Sequence, residues 1–435
     1  MKKTFTVLTV LTAFTVSFFI VINPVNKSYG YNLKKYRGKK TNILPLSILI
    51  KNALRNPDIT SSILKTEGRK EKIAITKALP EPVAGIGLTD ANGFNNPGIG
   101  VNSMSDIGLS ISQKIPFPSK LETKSKINKY SYMSSKAKTM ALQIDTAYLV
   151  KESYYNLALL EKQIAVVKYN RLLLSIIIKD ISQKYGTGTV SAPAYIRTML
   201  EDAGLKSELF SLNKAKAKLV YLLGELTGLK SSYIKLRRAV LPKIKEAGKE
   251  AETKKDIKTA YKYNPELKSL KYLAKKSDYE TAYAKESYLP DFYLKAGYGD
   301  RYSMVPVLSA SIGLSLPLYF NSYQKPLINK AEKDRLSSIY ALSWEKLQII
   351  KSISVYAKAL RLNKNNYRLY KSLYIPEAKL LFKAEISSFG TGRSSAFSLL
   401  DSFRKLIDSE FKRDIYNAKY YIDKSRLEQI MGKIR

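Results

Sequence analysis

The chain has 435 residues, no cysteine and no histidine, and 74 Lys+Arg against 36 Asp+Glu, for a formal charge of +38. Without Cys and His there is no disulfide framework, thiolate nucleophile, His-dependent triad or Cys/His zinc site, so most hydrolytic, redox and soft-metal chemistry is closed and neither a metal nor a cofactor is expected. A hydrophobic content of 45% suits a folded protein, while the charge, spread along the whole chain, fits nucleic acid, anionic lipid, an anionic solute or simply basic helix faces.

The first segment bears on the compartment. Lys2 and Lys3 precede an apolar stretch from Phe5 to Ile22, and Ser28 and Gly30 place small residues at the −3 and −1 positions of a cleavage site. This is the pattern of a secretory signal over residues 1–30, with an uncleaved membrane anchor as the alternative. Cleavage after Gly30 removes three lysines and no carboxylate, leaving +35. An exported chain meets no genomic DNA, so no nucleic-acid partner is expected. No later segment approaches the ~18–20 apolar residues of a spanning helix, so any membrane insertion has to use β-strands.

A first half spans 31–228. Asn56-Pro57-Asp58 predicts the start of a helix over 57–79: an N-cap, a proline at the first helical position and a carboxylate facing the helix dipole. Leu79-Pro80-Glu81 leads into a hairpin over 82–115. Its second strand alternates Ile107, Leu109, Ile111 and Ile115 with Gly108, Ser110, Ser112 and Lys114, and its first carries Ala84, Ile86 and Leu88. The linker 89–104 is rich in turn residues. A long helix over 119–184 would reach about 100 Å at 1.5 Å per residue. It carries two apolar stripes: Met133, Ala137, Met140, Ile144, Ala147, Tyr154 and Ala158, broken by Lys151, and then Leu157, Leu160, Ile164, Val167 and Leu174. Two seams call for a neighbour on each side, as in a bundle or a ring of helices. Tyr185-Gly186-Thr187-Gly188 ends the helix in a tight reversal. It is no phosphate loop, because no strand precedes it and no Lys-Ser/Thr follows. A helix over 190–228 closes this half, and 229–256, rich in Lys and Glu, is a linker or equatorial segment.

The second half, 257–435, repeats the order. Asn264-Pro265-Glu266 opens a helix over 265–288, and Leu289-Pro290-Asp291 leads into a hairpin over 290–319. Its strands are 292–298 and a strictly alternating 307–319, where Leu308, Ala310, Ile312, Leu314, Leu316 and Leu318 interleave with small polar residues. A long helix over 325–388, the reversal Phe389-Gly390-Thr391-Gly392 and a helix over 394–432 follow. Gly186 and Gly390 are 204 residues apart, as are Gly228 and Gly432, so the register holds over the whole last helix of each half. Tyr298, Tyr302, Tyr319, Phe320 and Tyr323 near strand ends suit an interfacial girdle. Four strands cannot close a barrel, and lipid tolerates no open edge, so closure takes two or more chains; three would give twelve strands.

The paired Asn-Pro-acidic helix starts, Leu-Pro-acidic hairpin starts, Ile/Leu-Pro hairpin exits at Ile115-Pro116 and Leu316-Pro317, and aromatic-x-x-Gly reversals resemble, in one order, the TolC-like outer-membrane efflux proteins over about residues 45–432. The resemblance implies an α+β membrane protein with two structural repeats per chain. It would be a homotrimer whose twelve-stranded outer-membrane β-barrel, four strands from each chain, continues into a long α-helical barrel through the periplasm of a Gram-negative-type cell. The implied function is the exit duct of a tripartite efflux or type I secretion system, a passive conduit, not an enzyme, gated at its periplasmic tip. Its implied partners are a periplasmic adaptor, an inner-membrane transporter and outer-membrane lipid. The resemblance places both reversals at the tip, with Tyr185, Gly186, Gly188, Phe389, Gly390 and Gly392 as adaptor contacts. The family's acidic gate rings, nine and six residues beyond the reversal glycine Gly392, fall on Asp401 and on a neutral Ser398. Asp401 reads equally as a solvated residue paired with Arg404 or Lys405. The acidic residues of 265–288 and 401–414 are not expected to pair around a pocket. A second functional reading is an exported trimeric coiled-coil scaffold that conducts nothing; the outward apolar β-face favours the duct.

Overall fold

The computed structural model describes residues 43–89, 105–244, 252–301 and 304–434. The secretory signal expected at 1–30, most of the hairpin linker and Tyr302 lie outside them. The elements are α1 (Leu46–Ala53), α2 (Pro57–Lys77), β1 (Val83–Thr89), β2 (Asp106–Ile115), α3 (Pro118–Gly186), α4 (Ala192–Thr227), α5 (Ser231–Lys235), α6 (Thr253–Tyr263), α7 (Pro265–Lys285), β3 (Phe292–Asp300), β4 (Val307–Leu314), α8 (Lys325–Leu369), α9 (Ile375–Gly390) and α10 (Ala396–Ile430). No helix among them is long and apolar enough to cross a membrane.

The frame is α3, 69 residues long and therefore about 104 Å at the α-helical rise. Two shorter helices lie along it in sequence. Near the sheet α2 packs on α3 through hydroxyl pairs, Ser62 with Thr139 (2.8 Å) and Thr66 with Ser135 (2.9 Å), and α7 joins from the other side through Ser134 and Ser269 (2.8 Å). Small hydroxylated residues let helix backbones approach closely while each side chain keeps a hydrogen-bond partner. Farther along, α4 and α10 take over, and the seam turns greasy: Val167, Leu174 and Ile181 of α3, Leu205 and Leu212 of α4, and Leu399 and Phe403 of α10 are buried in one cluster. The first predicted stripe departs from expectation at Met140, which is 46% exposed while Thr139 is buried in its place.

The two predicted hairpins form a single antiparallel sheet in the order β1-β2-β3-β4, so the halves of the chain meet along β2 and β3. Strand β4 stops at Leu314, short of the predicted 319. Ser315 still donates its amide to Asp291 (2.9 Å), but Pro317 has no N–H to extend the ladder. The predicted helix 325–388 is interrupted by a π-helical turn at Tyr370–Tyr374, just ahead of Pro376, and a second π-turn, Phe320–Gln324, precedes Pro326. Proline lacks the amide for the i→i−4 bond and crowds that carbonyl, and a widened turn relieves both.

Candidate functional site

Strand periodicity, carried across the register, gives the sheet two unlike faces. Ile86, Leu109, Tyr298 and Leu308 align across all four strands, as do Ala84, Ile111, Ala296 and Ala310. The alternate rows are small or polar, for example Gly85, Ser110, Gly297 and Ser309. The apolar row is open: Leu308 is 83% and Ile86 78% exposed. A Cβ at Gly297 would lie 2.8 Å from the Ser309 hydroxyl, which would have to turn aside to admit it. At the helix-side edge Asp291 ties the sheet to α3, accepting from Lys120 (2.8 Å) and from the Phe117 amide (3.3 Å) and pairing with Lys114 (3.1 Å). Of the aromatics expected near strand ends, Tyr298 lies within β3, whereas Tyr319, Phe320 and Tyr323 follow β4 and are exposed.

The opposite end carries the two reversals. Each helix closes in the same way: Gly188 (φ 74°) and Gly392 (φ 72°) are left-handed, and the Thr189 and Arg393 amides reach back to Lys184 and Ser388, both at 2.9 Å. The first glycines, Gly186 and Gly390, end the helices without left-handed backbone. Lys184, which the sequence reading passed over, joins the reversals by donating to the Phe389 carbonyl (3.1 Å) with its ammonium 4.2 Å from the Phe389 ring centre. A cation on the last carbonyls of a helix also faces the negative end of its dipole. The aromatics differ: Phe389 is buried, while Tyr185 is exposed and stacks on Tyr195 at 5.3 Å. Between the reversals lies a groove of about 430 Å³.

Asp401 sits on the second turn of α10, half exposed and paired with Lys405 at 2.8 Å. Arg404 turns away from it to Glu201 of α4, its Nε at 2.8 Å, and that hydrogen bond raises the guanidinium's pKa. Ser398 is partly exposed and donates its amide to the Ser395 hydroxyl (3.1 Å), which caps the helix. The structure thus has Ser398 and Asp401 six and nine residues beyond Gly392 on the helix that follows the second reversal, and gives Asp401 a cation partner.

Of the acidic residues of 265–288 and 401–414, Glu266 alone lines a cavity of about 130 Å³, where it meets carboxylates from helices outside that set, Asp145 of α3 and Glu345 of α8, beside Arg426 and Gln429 of α10. Burial, and then the charge of Glu266, raise the pKa of Glu345. Gln429 bridges the pair Asp145 (2.5 Å) and Arg426 (2.6 Å). These residues come from four helices, and only the fold brings them together.

The fold is that of outer-membrane channels. The chain is similar to VceC, an outer membrane protein of Vibrio cholerae (TM-score 0.76, 12% identity, covering 89% of this chain and 96% of that one). It is similar as well to the CmeC outer membrane channel of Campylobacter jejuni (0.76, 14%, 89% and 85%) and to the open state of the MtrE channel of Neisseria gonorrhoeae (0.68, 14%, 89% and 89%). No protein-family model matches the sequence, and no characterised relative is detected from it. The resemblance read from the duplicated motifs therefore holds at the level of the fold, at identities where sequence alone is nearly silent.

Proposed function

We propose that this chain is one third of an outer-membrane exit duct, a passive conduit built from two structural repeats per chain, 31–228 and 257–435 around the segment 229–256. Three copies complete a twelve-stranded barrel and a helical tunnel beneath it. The observation that carries this reading is the sheet: an exposed apolar row across four strands, ending in two edges, β1 and β4, at the head of a helix about 104 Å long. An apolar face of this kind belongs in lipid, and its edges have to be paired there. A coiled-coil scaffold has no use for such a face. Exposed apolar residues along α8, among them Trp344, Leu347, Val355, Leu362 and Leu369, supply a helical seam for the neighbouring copy.

The reversals then form the tip that meets a periplasmic adaptor, itself joined to an inner-membrane transporter, in an efflux or type I secretion system. Tyr185, Gly186, Gly188, Gly390 and Gly392 present surface there, and Phe389 shapes it from beneath. Asp401, three copies around the axis, is the gate carboxylate, with Ser398 as the neutral position nearer the reversal. Purified protein in planar bilayers should conduct ions, and absence of conductance together with solubility in the absence of detergent would sink the duct. Asp401→Ala should change both unitary conductance and block by divalent cations. Unchanged traces would return Asp401 to a plain surface pair with Lys405.

A further inference from the structure

The first part of the segment that joins the halves, a strap over 229–245, carries cations with no acidic residue among them. Between Glu225 and Glu246 the sequence has no acidic residue and six basic ones, although the chain as a whole has one acidic residue for every two basic ones. Five of them are described. Lys230, Lys235, Arg238 and Lys243 are exposed, Arg237 partly so, and no ion pair joins any of the five to a carboxylate among the described residues. Glu161, close by, is already satisfied by Lys216 (2.9 Å) and the Ala239 amide (3.0 Å).

The strap is rigidly placed. Ile234, Ala239 and Leu241 are buried against Tyr154 and Leu157 of α3 and Leu223 of α4. The Val240 amide donates to the Tyr154 hydroxyl (3.1 Å), and the Tyr421 hydroxyl donates to the Lys243 carbonyl (2.9 Å). With Ile234, Ala239 and Leu241 turned down and its cations, together with Leu236, turned up, it lies across the long helices at the level of Tyr154, about 55 Å along α3 from the sheet. Granted the duct proposed above, a strap over its helices lies on the outer wall, since on the inner wall it would obstruct the passage. Three copies make a belt.

We infer that this belt binds the carboxylate-bearing glycan–peptide polymer of the cell wall. A duct that runs this far inward from an outer membrane has to pass through that mesh, whose repeated carboxylates match a ring of cations that no described carboxylate neutralises, two of them, Lys235 and Arg237, lying over the Tyr221 and Tyr233 rings. Anionic lipid headgroups are the poorer match, because the belt stands several Debye lengths from the sheet's bilayer.

The test is cosedimentation of the full-length, detergent-solubilised protein with purified wall sacculi at physiological salt. The variant Lys230→Gln/Lys235→Gln/Arg238→Gln/Lys243→Gln should lower the apparent affinity about tenfold, since several exposed charge contacts are lost together. A control removes the same charge from exposed α2 positions, Lys65→Gln/Lys70→Gln/Lys72→Gln/Lys77→Gln, and should pellet like the wild type. Equal loss in both variants, retention in both, or wild-type binding to phosphatidylglycerol vesicles but not to sacculi would overturn the inference. Single-channel conductance, recorded in parallel, should be unchanged in the belt variant. A wild type that binds sacculi without conducting defeats the duct and leaves the belt standing.

Discussion

Asn56 and Asn264 each close two helices. The Asn56 side chain accepts from the Asp58 amide (3.0 Å) and donates to the Leu226 carbonyl at the end of α4 (3.1 Å). Asn264 accepts from the Leu267 amide (2.8 Å) and donates to Ile430 at the end of α10 (2.9 Å). The N-cap half of each role is legible locally, from the proline and the acid that follow. The C-cap half is a contact across about 170 residues, and no local pattern announces it. Asn264 is buried and Asn56 only partly so, so Asn264→Ala should cost about 2 kcal/mol and Asn56→Ala about 1, as read from denaturant midpoints of the solubilised protein. Glycines at these ends differ as sharply. At Gly432 (φ 73°) a Cβ would stand 2.5 Å from the Tyr263 carbonyl, whereas at Gly188 nothing lies within 4 Å. Gly188→Ala should therefore lose only the roughly 1–2 kcal/mol of left-handed backbone, and Gly432→Ala clearly more in the same assay. Glu345 gives a pH signature in a chain without histidine. Its folded pKa is raised, so the folded state holds a proton that the unfolded chain has released; its contribution is present below the ordinary glutamate pKa and is lost as pH rises through the folded one. Glu345→Gln should raise the melting temperature at pH 7 and leave it nearly unchanged at pH 4; an equal shift at both would discard the account.

Between elements, the sequence announced the strands better than the helix seams. A period of two survives translation into a sheet because each face keeps one parity, which is why Leu308 and Ile312 read correctly from spacing alone. Helix faces near the sheet were harder, since Thr66, Ser134, Thr139 and Ser269 look like solvent residues and in fact fill the interface as hydrogen-bonded pairs. Lys151, read as a polar break in an apolar stripe, is a buried partner of Glu428 on α10 at 2.8 Å. Glu428→Gln would strand that ammonium and should destabilise by about 3 kcal/mol, whereas the apolar pair Lys151→Met/Glu428→Leu should come out near neutral in thermal unfolding. The carboxylates around Glu345 stayed hidden for a simpler reason: Asp145, Glu266 and Glu345 lie on three different helices, and no spacing rule links them.

For the whole molecule, the edges of the sheet decide the assembly. The chain has no cysteine, so introduced thiols report contacts without background. Cysteines scanned along β1, combined with Ser311→Cys on β4, should give disulfide-linked dimers and trimers on denaturing gels; monomer at every position would exclude closure by three copies. The formal charge of +38 reads differently once the chain is folded. Part of it is consumed internally by Lys120, Lys151, Arg171 and Arg404, each on a carboxylate distant in the chain, while the strap at 229–244 has no carboxylate partner among the described residues.

The end-to-end joint beside Asn56 has an evolutionary consequence. One continuous helix, α3, is matched by two that meet head to tail, α2 and α4. An insertion in α3 therefore cannot be absorbed locally: it must be answered by an equal one in α2 or in α4, on whichever side of the joint it fell, and again in the second half beside Asn264. Lineages can lengthen or shorten such a molecule only through matched changes at several distant places in the gene. Its reach should thus vary in discrete steps, and between those steps the length is inherited as a fixed measure of the space it spans.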